Sequence, residues 1–177
     1  MRIETATIRR LRDALIQSGR RPSAVLSSAY ETLARAGLLS DDERAALTRI
    51  DSMAETMFLM MSADGKITSS ERDAMRGAIR GLTDGLIHDG TIDVMIEEYG
   101  RLLAEEGREA RLRYIGESLA GQQSDAEGTF ALAAAVALAD EEVAEEERGL
   151  VDQLRAWFGI SQERAAQILD QLEDEKR

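Results

Sequence analysis

The chain of 177 residues has no cysteine, which excludes disulfides, thiolate metal sites and thiol catalysis. It has one histidine, His88, in a Gly/Asp-rich stretch, so imidazole chemistry would have to come from that residue with Asp84 or Asp89 beside it. There is one proline, and aromatics make up only 4% of residues. Val, Thr and aromatic residues are sparse, which argues against a substantial sheet. No Gly-rich phosphate loop, nucleophile elbow or HExxH pattern occurs, and no catalytic residue is assigned. The longest apolar run, Phe130 to Ala139, is ten residues. A spanning helix needs about 20, so no direct membrane insertion is expected. Met1 leads into an Arg-rich stretch instead of an apolar leader, and the expected location is cytoplasmic.

What is present is helix-forming. Apolar residues make up 44% of the chain, and Ala, Leu, Glu and Arg are abundant. The apolar period is near 3.6 throughout, which predicts an all-α, compact bundle of about eight or nine helices. Helices are expected over residues 4–17, 22–36, 41–63, 68–82, 91–104, 108–120, 124–139, 144–158 and 161–173. Four methionines, Met53, Met57, Met60 and Met61, fall at core spacing on the third of these.

Charge divides the chain. Residues 1–40 carry seven Arg and three acids, a net of +4, whereas residues 41–177 carry 15 basic and 31 acidic side chains, a net of −16. The expected organisation is a basic helical segment, 1–40, followed by an acidic all-α domain, 41–177. An acidic body repels phosphate backbones, so nucleic acid is not an expected partner. Cations and basic protein surfaces are better matched.

A short acidic pattern occurs twice. Ala63-Asp64-Gly65-Lys66-Ile67 with Glu71-Arg72 returns 76 positions later as Ala139-Asp140-Glu141-Glu142-Val143 with Glu147-Arg148. The flanking helices repeat at the same offset, Met57, Phe58, Met60 and Met61 matching Ala133, Ala134, Val136 and Ala137. Bulky residues on one helix and small ones on the other suit close packing of the two. Two helix–loop–helix units related by a pseudo-twofold axis are therefore expected, with their acidic loops near each other.

Two chemistries account for the loops. With Asp64 at position 5 of an EF-hand-like loop, Gly65 falls at the turn glycine and Glu71 at the bidentate carboxylate. Met60 and Ser62 would occupy the first two ligand positions, so neither loop alone supplies a full oxygen shell. Together, Asp64, Glu71, Asp140 and Glu147 form a candidate set for a divalent cation, calcium foremost. Alternatively, Thr68-Ser69-Ser70-Glu71 is a capping box that needs no metal. Ala144 replaces Thr68 in the second copy and cannot cap through its side chain.

The duplicated Ala-Asp-Gly-x-Ile-x-x-x-Glu element in an acidic helical chain resembles the TerB-like tellurite-resistance family, over about residues 45–160. The same module occurs in a membrane-anchored J-domain co-chaperone. The resemblance implies a compact all-α domain whose duplicated loops carry acids linked to divalent-cation binding. By motif position those acids would be Asp64 and Glu71, then Asp140 and Glu147, with Glu141 departing from the glycine of the pattern. The implied role is a non-enzymatic stress-response or tellurite-resistance module with a protein partner. The alternative is a metal-independent acidic scaffold for protein–protein interaction.

Overall fold

The computed structural model describes residues 5–17, 37, 40–63, 65, 67–138 and 145–176. They form eight α-helices and no strand: α1 (Thr5–Gln17), α2 (Asp41–Met61), α3 (Ser69–Leu82), α4 (Asp89–Glu106), α5 (Arg108–Ser118), α6 (Gln123–Ala137), α7 (Glu145–Trp157) and α8 (Gln162–Lys176). The all-α expectation is met. The helix expected over 22–36 lies outside the described residues. None of the described helices is long and apolar enough to cross a membrane.

α2 and α6 share the most extensive helix–helix interface, as the bulky/small pattern predicts. Met53, Met57, Met60 and Met61 are all buried in the core, as are Ala131, Ala133, Ala134 and Ala137. α6 is buried along nearly its whole length and has almost no polar face, the signature of a central helix. Fully burying a methionine side chain contributes on the order of 1.5–3 kcal/mol, so this seam is a principal source of stability.

The repeat is visible in the helix ends. α2 and α6 stop at Met61 and Ala137, and α3 and α7 start at Ser69 and Glu145, each pair 76 positions apart. The packing extends the correspondence to all eight helices. α1 packs on α3 and α6, and α5 packs on α7 and α2. α2 packs on α3 and α4, just as α6 packs on α7 and α8. α4 meets α5, and α8 meets α1. Exchanging α1–α4 with α5–α8 thus carries these contacts onto one another, as an approximate twofold through the α2–α6 seam would.

α1 therefore occupies a core position equivalent to that of α5. Its buried Ile8 and Leu11 align with the buried Leu112 and Ile115 of α5, an offset of 104 instead of 76. The extra chain lies between α1 and α2, where residues 22–36 fall. Two of its arginines face acids of other elements: Arg10 pairs with Glu175 of α8 at 2.8 Å, and Arg12 reaches Asp84 at 3.5 Å.

Candidate functional site

The first acidic loop joins α2 to α3, and its described residues are tightly bonded. Ser62 follows the last turn of α2, and its carbonyl accepts the N–H of Gly65 at 3.0 Å. Gly65 has φ of 106°, a conformation that strains a residue with a side chain. Glu141 stands at the matching sequence position, so the two loops are not interchangeable at the turn.

Glu71 serves as a cap. Its Oε2 accepts the backbone N–H of Thr68 at 2.7 Å and the Thr68 hydroxyl at 2.8 Å. Its own N–H donates to Thr68 Oγ1 at 3.2 Å, closing the box expected from the sequence. The same device starts α2, where Ser40 N–H donates to Glu43 Oε2 at 2.9 Å and Glu43 N–H donates to Ser40 Oγ at 3.2 Å. Those hydrogen bonds from Ser40, backbone first and hydroxyl second, hold the Glu43 carboxyl below its ordinary pKa.

Of the four candidate metal ligands, Asp64 and Asp140 lie outside the described residues. Glu147 is placed by its backbone alone, in the first turn of α7. Among the described residues, no group of three or more His, Asp or Glu side chains is arranged to hold a metal ion.

A cation is nevertheless built into the first loop. Arg108, the first residue of α5, donates from Nη2 to the Ser62 carbonyl at 2.6 Å. Ser62, which receives this fixed positive charge, precedes Asp64 by two residues in the chain. Sequence reasoning missed it because an Arg-Glu pair opening an amphipathic helix looks like solvated surface.

Arg108 also lines a cleft of about 650 Å³ between α5 and α7. Ala63, from the first loop, borders it on one side and Gly149 and Leu150, just inside α7, on another. The end of the first acidic loop's leading helix and the start of the second loop's trailing helix therefore face a common space.

Beneath α5 lies a buried polar cluster that the sequence did not reveal. Arg111 is 3% exposed and binds Glu55, 1% exposed, in a bidentate pair at 2.7 and 3.0 Å. Its third nitrogen reaches Glu106 at 3.0 Å, and its guanidinium stacks 4.6 Å from the centre of the Tyr114 ring. Nearby, Tyr99 donates to Asp51 at 2.8 Å. Burial pushes the Glu55 carboxyl above its usual range, against the opposing bonds and charge of Arg111. Burial, with the Asp51 and Glu55 charges, pushes the Tyr99 phenol well up as well, so it stays a neutral donor. With both oxygens of Glu55 held by Arg111, the cluster ties α5 to α2.

His88 is exposed and precedes α4 without capping it through its side chain. The acids beside it face arginines: Asp84 lies 3.5 Å from Arg12, and Asp89 lies 3.5 Å from Arg80. No oriented His–carboxylate pair exists here. No family model matches the chain, and no curated protein or solved structure resembles it significantly.

Proposed function

We propose that the protein is a non-enzymatic, TerB-like module of a stress-response or tellurite-resistance assembly, binding a divalent cation at the end of the bundle where its two acidic loops open. The observation that carries this proposal is the shared cleft, bordered by Ala63 from one loop and by Gly149 and Leu150 just beyond the other. Carboxylates gathered at one end repel one another without a cation, and a divalent ion relieves that repulsion. Because Glu71 spends one oxygen on its helix cap, Asp64 and Asp140 are the principal ligands, with Glu147 assisting.

A second function, a metal-independent acidic scaffold, is favoured by the complete Thr68–Glu71 box, which accounts for Glu71 without a metal. Thermal melts separate the two. Calcium should raise the melting temperature as RT ln(1 + [L]/Kd), and Asp64→Asn should abolish that gain. Thr68→Ala should cost about 0.5–2 kcal/mol with or without calcium. Melts unmoved by calcium, magnesium and manganese alike, with Thr68→Ala still destabilising, would leave the scaffold.

A further inference from the structure

α5 and α7 touch closely at one place and part at another. A Cβ on Gly116 of α5 would lie 2.9 Å from the backbone oxygen of Trp157, so the two helices are in backbone contact there. Earlier in α5, Leu112 and Arg108 instead border the cleft of about 650 Å³, a volume within the range of pockets that take a small ligand. Leu112 is fully buried, and with Leu150 and Trp157 it supplies an apolar lining. The cleft runs along Gly149 to Trp157, about 12 Å of helix at a rise of about 1.5 Å per residue, which suits a tail of about ten carbons.

The two charges in the lining are not balanced against each other. Glu109 pairs with Arg113 at 3.0 Å, one turn on in α5. Arg108 forms no ion pair with a described residue, and its guanidinium makes one hydrogen bond, from Nη2 to the Ser62 carbonyl. That carbonyl also accepts the N–H of Gly65. The Arg108 Nε is shielded from solvent and has no acceptor. A shielded guanidinium N–H left unpaired is costly, and it marks a place where an acceptor from outside the chain would be held. Gly107, the N-cap of α5, brings no side chain to the first turn that Arg108 opens. An unpaired guanidinium beside apolar surface selects a carboxylate carried on an apolar body. One guanidinium balances one negative charge, which fits a monocarboxylate better than a phosphate dianion.

We propose that the α5–α7 cleft binds a medium-chain monocarboxylate, with its carboxylate on the Arg108 guanidinium and its tail along Leu150 and Trp157. Burial of the tail supplies most of the affinity, and Arg108 supplies the selectivity. With a net charge of −12 the protein repels free anions at long range, so the selection is made at contact and not by steering. Binding needs no cation, so its test is made with chelator present and stands apart from the loop site.

Trp157 is the only tryptophan and lines the cleft, so its emission reports occupancy. Decanoate is titrated into the full chain below the concentration at which it aggregates, with decanol and decylamine in parallel. Decanoate should shift Trp157 emission saturably, and decanol and decylamine should each bind roughly tenfold or more weakly. Arg108→Gln should bring decanoate down to the level of decanol. Gly149 is exposed and a Cβ there would meet nothing within 4 Å, so Gly149→Leu should keep the helical circular dichroism while weakening all three ligands.

Decanol or decylamine binding as tightly as decanoate would overturn the proposal. So would a preference for decanoate that survives Arg108→Gln in a variant that keeps its circular dichroism. Undiminished decanoate binding by Gly149→Leu would place the ligand elsewhere and sink the assignment of the cleft. Tighter binding of an acetylated tripeptide with a free C-terminal leucine would overturn the free acid in favour of a partner's C-terminus.

Discussion

The two halves of this bundle use the same helix contacts but different chemistry at equivalent places. Where α5 meets α2, the tie is the buried ion pair of Arg111 and Glu55. Where α1 meets α6, the matching residues are Thr7 and Ala131, both buried. Thr7 turns to α8 instead, donating to Glu175 at 2.6 Å beside Arg10. A shared set of helix positions thus tolerates a desolvated charge pair in one half and an alanine in the other. The fold is specified by which helices meet, and the residues at each meeting are free to diverge if buried polar groups keep their hydrogen-bond partners.

That contrast is easiest to break at Arg111. Removing one partner strands the other charge in the core, so Arg111→Met or Glu55→Leu alone should each cost about 3–5 kcal/mol. The double variant should recover most of the loss, because its interface then resembles the apolar one in the other half. Chemical denaturation of the three variants gives the coupling, and additive losses would show that the pair does not act as a unit.

The glycine contacts should respond next. Gly116→Ala must push against the Trp157 backbone and should cost about 1–3 kcal/mol. Gly128 lies in the α2–α6 seam, where a Cβ would press on the flexible end of Met53 at 2.8 Å and make ordinary contact with Leu11 at 3.8 Å. There Ala's better helix propensity, up to about 1 kcal/mol, should offset the crowding and leave the melting temperature nearly unchanged. Equal losses at the two sites would mean that backbone closeness is not what separates them.

The smallest effect is set by pH. Burial works against ionisation of Glu175, but hydrogen bonds from Arg10 and Thr7 prevail and hold its pKa below the ordinary value. The stability it contributes is present above the unfolded carboxylate pKa and is lost as pH falls through the folded one. Arg10→Ala should therefore lower stability at neutral pH by about 0–1 kcal/mol and flatten its decline on acidification. An unaltered acid limb in urea melts would show that the pair carries no such linkage.

Much of this architecture could be read from residues alone. The 3.6-residue period located the helices, and the offset of 76 located the α2–α6 seam. Thr68 announced its capping box through the glutamate three residues on. The place of α1 was hidden, because the extra chain before α2 changes the offset to 104 and only the Ile8/Leu11 stripe survives to align. Arg111 and Glu55 were hidden for another reason. Charged residues on amphipathic helices are usually solvated, and no local pattern marks one whose partner lies 56 positions away. Of the candidate site, the role of Glu71 as a cap was legible, while Arg108 against Ser62 depends on tertiary packing that no spacing encodes.

The central claim is that one cation is shared by two acidic loops, and calcium titration calorimetry on the wild-type chain, Asp64→Asn and Asp140→Asn tests it most directly. One ion per chain, with binding lost in either variant, is the expected result. Two independent sites, each variant removing only its own, would contradict sharing, and no binding heat or calcium-dependent change in melting temperature would contradict the cation function altogether.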